Sequence, residues 1–397
     1  MAVTLADVAA RAGVSAATVS RVLNGNYPVA GTTRSRVLRA VEELEYVVNG
    51  PASSLAAATS DLIGVLVNDI ADPFFGIIAG GVQSRIAPVD APDGRGRKLA
   101  VVCTTGGSPE QELTYLTLLQ RQRAAAVILT GGAVEDPAHQ AALAAALRRI
   151  ERAGARVVLC GRPPLAPPVA GDEGEVEGGT EGEAPEADTA VAPDGTEVPL
   201  PPAVDLPHPA CLAFDNRGGA RALTEHLISL GHREIGYLAG PAERTTTRHR
   251  LEGHRAALDA AGLADGAGDR VVHGRFDRDS GYGGARELLR RFPGLTAIAA
   301  ANDTVALGAC AALREAGLRV PEDVSVTGFD DLPFAAEAAP ALTTARLPLH
   351  EAGARAGLLA LGMEEPPPGG VAVIGAELRV RASTAPPPSA SRAAHAG

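Results

Sequence analysis

Over the first sixty positions apolar residues return every three or four places, whereas from Leu62 onward they come in short unbroken runs. The first texture predicts short helices and the second buried strands. Leu5, Val8 and Ala9 share one helical face. Thr4 can cap that helix, with Asp7 near its N-terminus, and Gly13 supplies the turn that ends it. Ser15 can cap a second helix, Ala16 to Leu23, with Val19, Val22 and Leu23 pointing inward. A third, from near Thr33 to Tyr46, would bury Val37, Leu38, Val41 and Leu44. Ala9, Ala10, Ala12 and Gly13 are small enough to let the first two helices cross closely.

Beyond Leu62, "LIGVLV", "KLAVVC", "AAVILT", "RVVLC", "EIGYLAG", "AIAAAN" and "VSVTGF" read as parallel strands. They alternate with helical patterns such as "GGARALTEHLISLG" and "DTVALGACAALREAG". This alternation predicts doubly wound α/β architecture, and the length accommodates two such lobes. Binding sites in open parallel sheets lie beyond the C-terminal strand ends, so polar and aromatic residues just after each run are the candidates.

Composition changes this picture in two places. Of 397 residues 46% are hydrophobic but only 3% aromatic, with no Trp, so the cores must be built from Ala, Val and Leu. The net charge of −11 argues against a nucleic-acid partner only until it is located. Ten acidic residues and no Lys or Arg lie between Asp172 and Glu197, accounting for all but one unit of it. That stretch belongs to a Gly/Ala/Pro-rich insert expected to be disordered, and a second insert, "APVDAPDGRGR", precedes Lys98. Cys103, Cys160, Cys211 and Cys310 are scattered and read as buried free thiols of a reducing compartment. No apolar run approaches the roughly 20 residues of a membrane span, and no signal peptide is evident. A cytoplasmic protein is expected, without membrane contact.

Enzyme chemistry finds little support. There is no P-loop, no Gly-x-Ser-x-Gly elbow and no His/Cys metal spacing, so neither metal nor cofactor is expected. His226, His232 and His249 read as helix or loop residues. Two competing readings remain for the opening segment: an ordinary helical hairpin, or a helix-turn-helix whose second helix enters the DNA major groove. On the latter reading Ser15, Ala16, Ala17, Thr18, Ser20 and Arg21 face outward, with Thr4 and Asn24 completing the DNA-facing set. Thr18 and Ser20 can reach phosphates, Arg21 can grip guanine or a phosphate, and Ala16 and Ala17 can meet thymine methyls.

"TLADVAARAGVSAATVSRVLNG" resembles the N-terminal signature of the lactose-repressor (LacI/GalR) family of bacterial transcription regulators. The resemblance continues through "TRSRVLRAVEELEYVVN", "LIGVLVNDIADPFFGII", "HLISLGHREIGYLAGP", "RLEGHRAAL", "AANDTVALGACAALREAGLRVPEDVSVTGFDD", "PALTTARLPLHEAG" and "ELRVRASTAPP", in family order over most of the chain. It implies an α-helical helix-turn-helix DNA-binding domain (1–48) and a hinge (49–60). An α/β periplasmic-binding-protein-like core of two doubly wound lobes follows (61–384), with the chain crossing between lobes three times. Lobe 1 would comprise about 61–162 and 348–372, and lobe 2 about 204–347 and 373–384. The insert would occupy 163–203 and a flexible tail 385–397. Within the hinge "NGPASSLAAATSD", Leu55 matches a leucine that wedges into the minor groove, and Ala52 matches too.

The resemblance also populates the cleft. Phe74 and Phe75, beside Asp72, match a ligand-contacting loop, one ring for ligand and one for core. Arg250 matches the family's ligand-clamping arginine, its fork suited to hydroxyl pairs, carboxylates or carbonyls, with Arg244 and Thr246 in the same loop. Phe276 matches a stacking aromatic, and Asn302 and Asp330 match polar contacts. Asp215 and Asn216 are weaker candidates. Asp303 is expected to cap the following helix, and Asp331 to be structural. This chemistry suits a sugar, and also a purine base, since "ERTTTRHR" keeps an arginine six residues before Arg250. The implied function is an allosteric repressor, a homodimer on double-stranded operator DNA, controlled by a small effector. A solute-binding receptor without transcriptional action is the rival reading.

Overall fold

The computed structural model describes residues 3–24, 29–44, 46, 60–86, 98–165, 189–191, 197–199, 209–264 and 266–388. Helix α1 (Leu5–Ala12) starts at Thr4, which exchanges hydrogen bonds with Asp7 in a capping box. It ends at Gly13, whose φ of 64° is left-handed and favours glycine. Helix α2 (Ala16–Asn24) follows Ser15, whose Oγ accepts from Thr18 N–H at 3.2 Å. Helix α3 spans Gly31–Glu43, beginning earlier and ending earlier than its pattern suggests. Val8, Ala9, Ala12, Val19, Val22, Val37 and Ala40 form the core of this small domain. Two expectations fail here. Leu38 is 47% exposed and Ala10 is exposed. With only three helices, the buried stripe of α3 is narrow: Val37, Ala40, Val41 and Leu44 fill it and Leu38 turns outward.

Strands β1 (Leu62–Val67), β2 (Leu99–Thr104), β3 (Ala126–Thr130) and β4 (Arg156–Cys160) join β7 (Ala210–Phe214) and β13 (Val371–Ile374) in a parallel sheet, ordered β13-β7-β4-β3-β1-β2. Alternating β1 side chains serve two cores. Ile63, Val65 and Val67 pack under α4 (Pro73–Ile86) and α12 (Leu349–Leu361). Leu66 faces α5 (Pro109–Arg121) and α6 (Pro137–Arg152). Helices α4 and α12 touch so closely that a Cβ on Gly81 would lie 2.2 Å from His350 O.

The second sheet, β11-β10-β8-β9, contains β8 (Ile235–Ala239), β9 (Val271–His273), β10 (Ala297–Ala300) and β11 (Ser325–Thr327). Helices α7 (Asn216–Ser229) and α8 (Thr245–Ala260) cover one face, and α9 (Arg278–Arg291) and α10 (Asp303–Glu315) the other. The short α11 (Pro333–Glu337) precedes β12 (Thr344–Arg346), which pairs antiparallel with β14 (Glu377–Arg379). The chain crosses between lobes after β7, after β12 and after β13.

Three boundaries differ from expectation. Ala210–Phe214 belongs to lobe 1, because β7 pairs with β4 and β13; the crossing comes only at Asp215. Val373 and Ile374 stay in lobe 1 as the end of β13. Inside the acidic insert, β5 (Thr189–Val191) and β6 (Glu197–Pro199) form an antiparallel ladder. The tail's Ala385 is also tied down. Its N–H donates to Ser325 Oγ at 3.0 Å, and its carbonyl pairs with His232 Nε2 at 2.8 Å. All four cysteines are free thiols. Cys160 and Cys211 are buried, with burial pushing each up to about 12, while Cys103 and Cys310 are half-buried.

Candidate effector cleft and DNA-facing helix

The C-terminal ends of the two parallel sheets face each other, and the loops leaving them carry the residues singled out above. Arg250 is the centre. It projects from the second turn of α8 and is only 3% exposed. Its Nε donates to Asn216 Oδ1 and an Nη to Asp330 Oδ1, both at 2.8 Å, while the other Nη reaches the Ala301 carbonyl. The guanidinium lies over the Phe329 ring, 3.7 Å from its centroid. Burial pushes the Asp330 carboxyl up to about 6, despite Arg250, and the Asp72 charge pushes the same way. Asp330 also holds a φ of 103°, a strained backbone position fixed by its N–H bond to Ala345 O.

Lobe 1 brings Asp72, Phe74 and Phe75 to the same place. Asp72 caps α4 by accepting from Phe74 N–H at 3.0 Å, and burial raises its pKa. The two rings meet edge to face at 5.0 Å. Phe75 enters the lobe 1 core, while Phe74 is half-buried beside Phe214. On lobe 2, Phe276 lies across the end of β8: a Cβ on Gly240 would meet its ring at 2.3 Å. Thr246 sits against Gly132 of lobe 1, and Arg244 donates to Gly107 O at 2.6 Å and Gly132 O at 3.2 Å.

One helix-cap assignment changes. Asn302, not Asp303, caps α10, accepting from Val305 N–H at 2.8 Å. Its side chain is thereby partly committed to the fold. Asp303 is the next residue, fully buried, accepting from Leu332 N–H and Thr344 Oγ1; burial pushes it up to about 8. Asp215 caps α7 through Gly218 N–H, and Asn216 serves Arg250. Asp331 is structural as expected, held by Arg381 at 2.6 Å.

One cluster escaped the sequence reading. Glu112 of α5 is buried between Arg162, just past β4, and His139 of α6. Arg162 also donates to Gly131 O at 3.1 Å. Burial alone would raise the Glu112 pKa. The Arg162 charge and the bonds from His139 and Arg162 outweigh it and hold the carboxyl at about 2. Arg162 meets the strand-end criterion used for the other candidates; Glu112 and His139 gave no such signal, being polar positions on helices.

In the N-terminal domain Ser15, Ala16, Ala17 and Arg21 are exposed along one side of α2, and Thr18 and Ser20 are half-buried. Ser15 and Thr18 hydroxyls are bonded to each other at 2.9 Å. Asn24 closes the helix. Arg34, Arg36 and Arg39 on α3 are exposed as well, adding positive charge that the sequence reading passed over. Ala52 and Leu55 lie outside the described residues.

Residues 4–49 match the family of bacterial regulatory proteins called lacI, and residues 224–384 match a periplasmic binding protein-like domain. The HTH-type transcriptional regulator CelR of Thermobifida fusca is 34% identical over 355 residues, 88% of each chain. The chain belongs to the lacI family. Among solved structures of that family, the lac repressor dimer bound to operator and the anti-inducer ONPF superposes with a TM-score of 0.70 at 27% identity. The match covers 97% of this chain and 100% of that one. A CelR–cellobiose complex gives 0.59 at 32% identity, covering 96% and 99%. This lacI-family chain is therefore a DNA-binding transcriptional regulator controlled by an effector, not an enzyme. Among the described residues, no helix is long and apolar enough to cross a membrane.

Proposed function

We propose that the protein is a cytoplasmic repressor that binds a two-fold operator as a homodimer and takes a sugar between its lobes. The arrangement around Arg250 carries this reading. A guanidinium flanked by the carboxylates of Asp330 and Asp72 offers both donors and acceptors, and the Phe74 and Phe276 rings approach from opposite lobes. Hydroxyl pairs match that fork, and the C–H faces of a pyranose or furanose match the rings. Arg244, Thr246 and Asn302, which follow the ends of β8 and β10, are assigned to the same site. The CelR relative, solved with cellobiose, supports a sugar over a nucleobase.

Helix α2 is the groove-reading element. Arg21 supplies its main polar contact to bases, Thr4, Ser15, Thr18, Ser20 and Asn24 reach the backbone, and Ala16 and Ala17 permit close approach. The hinge, 49–60, adds Ala52 and the Leu55 wedge in the minor groove. Effector binding changes the angle between lobes and hence the spacing of the paired hinges. The coupling amounts to about 1–3 kcal/mol of differential affinity. A thermal-shift screen of the full chain against sugars and nucleobases, repeated on Arg250→Ala, tests the cleft. A cognate sugar raises the melting temperature of the parent and leaves that of the variant at its own baseline. Equal stabilisation of both would refute the assignment.

A further inference from the structure

The two lobes are joined by more than the three chain crossings. Those crossings leave from the β13–β7 side of the first sheet and the β11 side of the second. Further along both sheets, the loop after β3 and the loop after β8 are laced together. Thr245 N–H donates to Ala133 O at 3.0 Å, and Ala133 N–H donates to Thr245 Oγ1 at 3.0 Å. Glu135 N–H donates to Glu243 O at 2.8 Å. Arg248 Nε pairs with Glu135 at 2.6 Å. Arg244 runs through the middle of this ladder to the carbonyls of Gly107 and Gly132.

We propose that this ladder is a clasp that holds the cleft shut in the effector-free protein, with Arg244 as its pin. Three features fit a clasp better than a passive contact. Main-chain bonds between the lobes are lost together when the lobes part, because each needs the same alignment of two loops. Arg244 makes its hydrogen bonds to carbonyl oxygens, and Glu112 and Glu243 act on its charge without bonding it: Glu112 is already engaged by Arg162 and His139. A guanidinium so held gives up little when it returns to water, which suits a reversible catch. Finally, Arg244 comes together with Asn68, Thr105, Ser108 and Glu112 at this end of the cleft and leaves no room there for a water molecule, so the pin fills it. An effector enters only when the clasp parts, and leaves the closed form no faster than the clasp opens.

This goes beyond the sugar assignment and is tested without any ligand. Residue-resolved hydrogen exchange on the full-length, effector-free protein follows the amides of Thr245 and Glu135, which donate across the cleft. Those of Ile128 in β3 and Leu238 in β8 serve as controls. The clasp requires Thr245 and Glu135 to exchange about 100-fold or more slower than unprotected amides. Arg244→Ala should cut that protection about ten-fold or more while Ile128 and Leu238 keep theirs. If Arg244→Ala also exposes the control strands, the milder Arg248→Ala, which removes the surface pairings to Glu135 and, within α8, to Glu252, decides. It must speed both loop amides and spare both strands. Unprotected loop amides in the parent, or protection unchanged in the deciding variant, overturns the proposal. A sugar screen that finds no ligand would leave this result standing, so the two readings fail separately.

Discussion

Helix α2 and the interlobe cleft are both surfaces made to be met by another molecule, and they prepare for it in opposite ways. On α2 the side chains assigned to the duplex stand outside the protein: Ala16, Ala17 and Arg21 are exposed on a helix whose own stability comes from Val19 and Val22 beneath. Docking there adds contacts to a finished object, and its electrostatic part falls with salt. In the cleft the assigned groups are already spoken for. Arg250 is satisfied by Asn216, Ala301 and Asp330, Asn302 caps a helix, and Arg244 holds two carbonyls. A ligand must replace or augment bonds that the closed protein makes with itself. Binding in such a site is an exchange, and exchange is what lets a small molecule change a conformational balance.

This contrast is sharpest at Arg250. Arg250→Ala strands the buried Asp330 carboxylate and uncovers Phe329, so the core should lose about 3–5 kcal/mol in denaturant unfolding. An unchanged core would mean that the buried pair is dispensable and the exchange picture wrong. Arg21→Ala probes the other surface. Affinity for the preferred duplex should fall about ten- to a hundred-fold, with the core's melting temperature unmoved. A drop in that temperature would show α2 to be structural instead.

The third prediction concerns pH and belongs to the core alone. His254 is buried, bonded to Thr224 Oγ1 at 2.8 Å and tilted over Tyr237, and burial lowers its pKa from 6.5 to about 3. Between those values the unfolded chain binds the extra proton, so stability is full above 6.5 and falls as pH drops. The slope from this residue is at most ~1.4 kcal/mol per pH unit. Glu112, held near 2, adds to the acid loss only below about 4.5. His254→Gln should therefore remove this residue's share of the pH 5 to 6.5 limb of core stability, to which the lowered His226, His232 and His249 also contribute, while sparing duplex binding. The smallest effect is at Thr4. Thr4→Ala removes one half of the α1 capping box and should cost the N-terminal domain about 1 kcal/mol, seen as faster amide exchange in α1 but not in the core.

The N-terminal domain was the more legible part. Its caps, the turn at Gly13 and the inward valines are local, set by residues three or four apart, and Leu38 was misplaced only because periodicity cannot state how wide a three-helix core is. The core strands were legible as apolar runs, but not their sheet: Ala210–Phe214 follows an insert and yet returns to lobe 1, a choice made by the open edge of β4. In the cleft the sequence pointed to polar and aromatic residues at strand ends, from the family pattern as much as from physics. Their partners were beyond it. Glu112 lies 27 residues from His139 and 50 from Arg162, and Arg250 lies 80 from Asp330. Short-range pattern therefore determined which segments are helix or strand and which ends carry chemistry. Only the packed fold decided which charges neutralise one another, because a buried charge is governed by what lies within a few ångströms, and chain separation says nothing about that distance.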